Sequence, residues 1–316
     1  MGIGELGEFG LIEEIRSVFS KTVPEGIYGI GDDCAVIPQK TGLDTLVSTD
    51  MLMEGTHFLI EDAKAFEIGW KSAAVNLSDL AAMGAKPVGS FLSFALPKEF
   101  ETSWIREFMD GFGEISRRCD CPLLGGDTTS SPDRLCINVT VLGNAPHGKA
   151  KLRSTAKIGD KICVTGTLGD SAAGLQLILK GEERNEYLLK RHYLPTPRVQ
   201  EGMYLLETEG VHAMMDISDG IASDLRHILH ESGVGAEIDL SRLPLSKELR
   251  DICARRGWDA NKLAVSGGED YELLFTVAPE EESRIEVPHT VIGSIVEGSE
   301  IKWKGSDKDY MGFRHF

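Results

Sequence analysis

Ala73-Ala-Val-Asn-Leu-Ser-Asp-Leu-Ala-Ala-Met-Gly-Ala-Lys-Pro87 is the stretch whose reading decides the fold. It is a helix of small and aliphatic residues with one carboxylate, Asp79. Asn76 lies three residues earlier and shares a helix face with Asp79. Gly84 and then Pro87 are stop signals in the expected order. A helix this apolar belongs in a core, where a lone Asp is costly unless something pairs with it. Three other segments run from apolar residues into acids: Val47-Ser-Thr-Asp50, Leu123-Leu-Gly-Gly-Asp127 and Met214-Met-Asp-Ile-Ser-Asp-Gly220. The question they raise is whether these acids meet Asp79 around metal ions.

Working outward, Phe9–Phe19 reads as an amphipathic helix, and Ile27–Gly31 as a short strand ending at Asp32-Asp33. Thr45–Thr49 reads as a strand ending at Asp50, Ala65–Met83 as the opening helix, and Val88–Leu96 as a strand closed by Pro97. Trp104–Cys119 is amphipathic. Pro122–Gly126 starts as a strand that ends at Asp127, and Leu135–Leu142 is a further strand. Asn144-Ala-Pro-His-Gly148 is loop chemistry and the expected domain boundary. Beyond it, strands are expected at Lys161–Thr165, His212–Asp216, Ala236–Leu240 and Tyr271–Val277, with short ones near Val291 and Ile301. Helices are expected at Asp170–Leu179, Val199–Glu209, Ile221–Glu231 and Lys247–Arg256, and a polar turn at Gly181–Asn185. No fixed-period repeat appears, and strict βαβ alternation is absent. The pattern predicts two α+β domains, 1–146 and 147–316, rather than one doubly wound sheet.

The chain has 316 residues, 41% hydrophobic and 26% charged, which suits a globular protein of two domains. Its formal net charge of −17 argues against nucleic acid or an anionic membrane as partner, since no basic patch offsets it. An anionic small substrate remains compatible if cations bridge the two. The N-terminus lacks a signal-peptide pattern, and no apolar run reaches the roughly 20 residues of a membrane span. Six cysteines, several inside apolar runs, read as reduced core residues of a cytoplasmic protein. Cys119-Asp-Cys121 has neither the gap nor the second pair of a zinc site.

Gly31-Asp-Asp33, Ser48-Thr-Asp50, Asp79, Gly126-Asp127, Asp216-Ile-Ser-Asp219 and Gly268-Glu-Asp270 form an acidic set. Singly, an Asp at a strand end beside Gly or Ser is commonly a turn former or N-cap. That reading is preferred for Asp160 and Asp170. Collectively, acids at strand ends tend to line one rim of a domain. Two carboxylates about 4 Å apart repel by roughly 4 kcal/mol at an intermediate dielectric, so four or more converge only around cations. Oxygen donors without paired His or Cys select hard ions, magnesium first, then manganese or calcium. Magnesium usually completes its shell with water and phosphate oxygens, which suggests a metal–nucleotide site.

The common phosphate loops are missing. There is no Gly-x-x-x-x-Gly-Lys-Ser/Thr, and Gly26-Ile-Tyr-Gly-Ile-Gly31 does not fit Gly-x-Gly-x-x-Gly. The His-Arg-Asp and Asp-Phe-Gly kinase signatures are absent as well. Thr165-Gly-Thr-Leu-Gly-Asp-Ser-Ala-Ala-Gly174 is a glycine-rich strand-to-helix turn, readable as a phosphate cradle or as a packing turn.

Taken in order, these blocks resemble the thiamine-monophosphate kinase family, of the superfamily that includes aminoimidazole ribonucleotide synthetase and selenophosphate synthetase. The resemblance spans nearly the whole chain. Its blocks are Gly29-Ile-Gly-Asp-Asp-Cys-Ala35, Ser48-Thr-Asp50 with Gly55-Thr-His-Phe58, Ala74–Gly84, and Gly125-Gly-Asp-Thr-Thr129. They continue with Thr165–Gly174, Pro195-Thr-Pro-Arg198, Asp216-Ile-Ser-Asp-Gly220 and Ser266-Gly-Gly-Glu-Asp-Tyr-Glu272. The resemblance implies transfer of the ATP γ-phosphoryl group to thiamine monophosphate, with several magnesium ions, giving thiamine diphosphate and ADP. It implies metal ligands at Asp33, Ser48, Thr49, Asp50, Asp79, Asp127, Asp216 and Asp219, with Asp50, Asp79 and Asp127 at the catalytic centre. Gly126, Asp127, Arg153 and Ser218 would meet ATP. His57, Glu269 and Phe313 would meet the thiamine phosphate. It also implies a homodimer, in which the N-terminal domains form a barrel with strands such as Val88–Leu96 and Leu135–Leu142.

Alternatives stay open residue by residue. Arg153 has a second reading as a solvated charge beside Lys149 and Lys151, and His57 equally reads as a turn cap. Glu269 competes with Asp270, and Asn76 either orients Asp79 or caps its neighbours. The acceptor phosphate is already anionic at neutral pH, so direct in-line transfer is expected, without an aspartyl-phosphate. The rival activity is another ATP-dependent synthetase of the superfamily acting on a different small phosphate or amide. A selenophosphate-type reaction wants a cysteine before the first acidic block, and the first here is Cys34. The Asp-x-Asp-x-Thr pattern of an aspartate-nucleophile phosphatase is absent.

Overall fold

The computed structural model describes residues 26–28, 31–39, 42–98, 100–181, 185–306 and 308–313. The helix expected over Phe9–Phe19 lies outside them. The first half runs β1 (Ala35–Pro38), β2 (Leu43–Met53), α1 (Ala65–Ala82), β3 (Lys86–Leu96), α2 (Thr102–Arg118), β4 (Leu123–Ser130) and β5 (Cys136–Pro146). The second half runs β6 (Lys161–Thr165), α3 (Asp170–Leu179), α4 (Glu186–Tyr193), α5 (Val199–Glu207), β7 (Val211–Asp216) and α6 (Ile221–Ser232). It continues with β8 (Gly235–Asp239), α7 (Lys247–Arg256), α8 (Ala260–Ser266), β9 (Leu273–Val277), β10 (His289–Val296) and β11 (Ile301–Lys304). Two sheets result, ordered β1-β2-β5-β3-β4 and β11-β8-β10-β6-β9-β7. The first is antiparallel except for the β3–β4 pair.

Helix α1 is the expected helix, and it is buried almost all round. Glu67 closes its first turn by accepting the Lys64 amide at 2.8 Å. At the Gly84 turn the Ala85 amide donates to Leu80 O at 2.8 Å. The helix packs on α2, β2 and β5 of its own half and on α5, β7 and β9 of the other. Gly202 permits the approach of α5, because a Cβ there would lie 2.1 Å from Ala81 O. One apolar cluster therefore runs through α1, joining Leu80 and Met83 to Leu205, Met214 and Phe275. Each such side chain contributes about 1.5–3 kcal/mol of burial, which fixes the two halves against one helix.

Three local expectations change. Asp50 and Asp127 do not end their strands: β2 runs on to Met53 and β4 to Ser130. Both acids stay in extended backbone because neighbouring strands supply the ladder, Asp50 opposite Val139 and Asp127 opposite Ser93. Among the described residues of the strand read over Ile27–Gly31, Tyr28 forms a bridge to Val36, and β1 follows the acids. Helices α4 and α8, of eight and seven residues, are not among the elements expected from the sequence. Leu188 and Leu263 bury them against α3 in a small separate cluster.

Among the described residues, no element covers the face of the first sheet away from α1. Met51, Met53 and Phe91 on it are 59, 38 and 40% exposed, and the edge strand β4 is exposed along its whole length. All six cysteines are free. Among the described residues no helix is long and apolar enough to cross a membrane.

Candidate active site

Two adjacent residues of α1 build the acidic centre. Asp79 accepts a hydrogen bond from Ser48 Oγ of β2 at 2.5 Å. Ser78, fully buried, donates its Oγ to Asp216 Oδ2 at the end of β7, at 2.6 Å. One helical turn thus grips an acid-bearing element from each half of the chain. Carboxylate oxygens of Asp33, Asp79 and Asp216 all lie within 4.8 Å of one another.

Burial, then repulsion from Asp50, Asp216 and Asp33, pushes the Asp79 carboxyl well above its usual range, against the Ser48 hydrogen bond. Burial followed by Asp33 pushes Asp216 up to about 8, and burial followed by Asp33 pushes Asp32 to about 7. Such a group is ionised together only when positive charge is brought to it. Arg153 supplies one such charge. Its Nη2 and Nε donate to the two oxygens of Asp33 at 2.8 and 3.1 Å, and its backbone amide reaches Asp32 at 3.3 Å. Burial opposes its charge, but Asp33 and Asp32 outweigh burial, and the side chain is only 16% exposed. The solvated-charge reading of Arg153 is therefore wrong. Lys151 donates instead to Val211 O at 2.6 Å.

The remaining acids distribute over two faces. Asp50 acts electrostatically on Asp79 and Asp216 from the covered face of β2. Its backbone amide donates to Asn76 Oδ1 at 3.1 Å, while Asn76 Nδ2 donates to Ser72 O. Asn76 thus pins the strand that carries Asp50, a role different from both sequence readings. Thr49 points the other way, with its hydroxyl on Val139 O and Thr140 Oγ1. Asp127, paired with Ser93, shares that outer face by strand alternation. The structure does not bring Thr49 or Asp127 to the Asp33–Asp79–Asp216 point. Gly126 sits where a Cβ would lie 1.7 Å from Leu92 O, so close strand approach alone demands glycine there.

A second cluster adjoins the first. Glu269 has φ +64° and Tyr271 φ +50°, left-handed values that cost non-glycine residues energy. The segment is held because the Glu269 amide donates to Ser218 O at 2.7 Å and the Tyr271 amide to Ile217 O at 2.9 Å. The Phe313 amide donates to Asp219 O at 3.0 Å, so Ser218, Asp219, Glu269 and Phe313 converge through backbone contacts. Glu269 faces Lys71 of α1, 2.7 Å away, and His192 Nδ1 of α4, 3.2 Å away. Burial raises its carboxyl, yet Lys71 and then His192 hold it below the usual glutamate value. Burial and Lys71 depress His192 to about 3, leaving it neutral. His57 accepts the Met53 amide on Nδ1 at 2.9 Å, which is the turn contact, and also lies within the field of Glu269.

Asp270 is a different kind of residue. It accepts the Gly169 and Ser171 amides at 2.6 and 3.3 Å at the start of α3. Burial lifts it to about 7. It occupies the amides that the phosphate-cradle reading of Thr165–Gly174 requires, so that turn is a packing turn. Glu269 and Asp270, indistinguishable as neighbours in sequence, point to different tasks. Sequence reasoning placed Asp32 in the acidic set without giving it a role, and it missed Lys71, Ser78 and Asp224. Ser78 and Lys71 carried the available signal, being polar residues in an otherwise apolar helix. Asp224 accepts the Asp219 amide at 3.2 Å and is buried beside it.

The acidic centre suits a hard cation. Its donors are carboxylate and hydroxyl oxygens, and the nearby Cys34 thiol, raised by burial and by Asp79, stays protonated.

Two family models match the chain. AIR synthase related protein, N-terminal domain, covers residues 31–145, and AIR synthase related protein, C-terminal domain, covers 157–304. The class is thus a two-domain AIR synthase related protein. The thiamine-monophosphate kinase of Escherichia coli (strain K12) is 40% identical over 98% of both chains, and that of Aquifex aeolicus 37% over 100% of both. A solved structure described as AaThiL complexed with AMPPCP and TMP superposes with a TM-score of 0.91 and 36% identity, over 100% of this chain and 99% of that one. Within its class, the chain belongs to the thiamine-monophosphate kinase family.

Proposed function

We propose that this chain transfers the γ-phosphoryl group of ATP to thiamine monophosphate, giving thiamine diphosphate and ADP. The observation that carries the reading is the buried meeting of Asp33, Asp79 and Asp216 from both halves. Its support is the relatedness to thiamine-monophosphate kinases over the full length. Asp33, Ser48, Thr49, Asp50, Asp79, Asp127, Asp216 and Asp219 would hold magnesium. Magnesium, when bound, supplies positive charge that offsets repulsion between two phosphates. Gly126, Asp127, Arg153 and Ser218 would bind ATP, and His57, Glu269 and Phe313 the thiamine phosphate.

A terminal oxygen of thiamine monophosphate attacks the γ-phosphorus. The bond from that phosphorus to the bridging oxygen breaks, and ADP leaves with the electron pair. Arg153, already charged, adds donors where charge accumulates. No general base is required, because the acceptor oxygen is anionic. The domains divide at 146/147, and the enzyme is cytoplasmic. It acts as a homodimer joined through the open face of the first sheet, whose exposed Met51, Met53 and Phe91 need a cover. Thr49 and Asp127 lie on that face, so their part in the site rests on the partner subunit.

Incubation with ATP, magnesium and thiamine monophosphate is expected to yield thiamine diphosphate. Conversion of thiamine but not of its monophosphate would sink the substrate assignment. Phosphate label retained on the protein after ATP treatment would sink direct transfer.

A further inference from the structure

Among the polar groups that helix α1 presents to the second half are the side chains of Lys71 and Ser78, seven residues and two turns apart on one face. Ser78 holds Asp216. Lys71 is 3% exposed, and its ammonium meets Glu269 Oε1 at 2.7 Å. Glu269 Oε2 lies 3.2 Å from His192 Nδ1, which also lies 3.0 Å from Ser171 Oγ. The Glu269 side chain remains 25% exposed, while Lys71 and His192 are enclosed. The cavity beside Lys71 is walled by Leu52, His57, Phe58, Glu67, Ile68 and Tyr193. Its volume of about 10 Å³ admits one water and not a phosphate. Lys71 is thus enclosed, and the charged group it faces at close range is Glu269. Its charge is spent on Glu269.

We propose that Lys71 is the positioning residue of the substrate pocket: it holds Glu269 ionised and oriented, so that the pair, neutral overall, accepts an uncharged N–H donor of the substrate rather than a cation. This rests on the functional reading above. Thiamine monophosphate offers both kinds of group, a neutral aminopyrimidine and a cationic thiazolium. A lone carboxylate would favour the cation. A carboxylate already matched by an ammonium retains acceptor lone pairs but no net charge, which selects the amine.

The test is steady-state kinetics of the unsubstituted full chain, Lys71→Met, Glu269→Gln and the double variant. Each is assayed with thiamine monophosphate and with its analogue bearing a carbonyl in place of the pyrimidine amine. Lys71→Met is expected to raise KM for thiamine monophosphate at least tenfold while KM for ATP moves less than twofold. The double variant, which removes both charges and so avoids a buried unpaired carboxylate, is expected to match Glu269→Gln rather than the product of the two single effects. The analogue is expected to bind the unsubstituted chain at least tenfold more weakly, and Glu269→Gln is expected to erase that difference. Equal changes in both KM values, multiplicative single effects, or discrimination against the analogue that survives Glu269→Gln would each overturn the proposal. Absence of thiamine monophosphate turnover by the unsubstituted chain would overturn the functional reading and this inference together.

Discussion

Two buried acidic centres in this molecule are built in opposite ways. Glu272, fully buried, accepts from Arg198 at 2.6 and 2.7 Å, from Arg191 at 2.8 Å and from Thr165 at 2.7 Å. Its charge is matched from within, and it ties α4 and α5 to β6 and β9. Around Asp79 the neighbours are mostly acids, Asp33, Asp50 and Asp216, with Arg153 as the nearby cation. A carboxylate matched by the protein's own guanidinium groups is a structural link. Carboxylates gathered against their own repulsion are costly to the fold by themselves, and they make sense only with imported cations.

The sharpest way to break this contrast is Asp79→Asn. Turnover is expected to fall by at least about 10³-fold, since each tenfold corresponds to about 1.4 kcal/mol and the charge stabilisation at stake is several kcal/mol. Without divalent ions the same variant is expected to melt higher than the unsubstituted chain, because a repelled buried acid is gone. A lower melting temperature would make Asp79 a structural residue like Glu272. Glu272→Gln should do the reverse. It is expected to lose about 3–5 kcal/mol in urea unfolding, as for a broken buried pair, with KM for ATP nearly unchanged in the folded fraction.

The third prediction concerns pH. In the folded chain Asp216 is raised to about 8 and Asp32 to about 7, against an ordinary value of 3.8. An acid whose folded value is raised contributes stability that is complete below the unfolded value and is lost as pH rises through the folded one. Metal-free protein is therefore expected to melt lower at pH 8 than at pH 5, and magnesium to raise the melting temperature more at pH 8. A magnesium effect independent of pH would break the link between these acids and the cation. The smallest effect is expected from Ser78→Ala. Losing a hydrogen bond to a charged acceptor is worth about 1.5–3 kcal/mol, which should appear as a tenfold or greater rise in the magnesium concentration for half-maximal activity. A change in kcat with no change in magnesium requirement would remove Ser78 from this role.

Much of this contrast was legible before any coordinates. The apolar run around Asp79 announces a buried helix, and a lone acid in such a run announces a partner. The opposite roles of Glu269 and Asp270 were not legible, because the left-handed backbone at Glu269 turns adjacent side chains toward different helices. Only the family resemblance sets Arg153 apart from Lys149 and Lys151, since all three are cations in one polar segment. By local preference Asp50 and Asp127 mark strand ends, because Asp disfavours strands. Partner strands, distant in sequence, supply the hydrogen bonds that override this preference.

The sequence by itself determined the burial of α1, the run of strands and helices in two α+β halves, and the oxygen-rich chemistry of the acidic set. These follow from periodicity and residue type, which act over a few residues. Tertiary structure alone decided which acids meet. Ser78 reaches Asp216 across 138 residues and Arg153 reaches Asp33 across 120, and both contacts depend on how α1 packs between the halves. The single Asp of the opening stretch is thus specified locally, while its purpose is set by residues that only folding brings beside it.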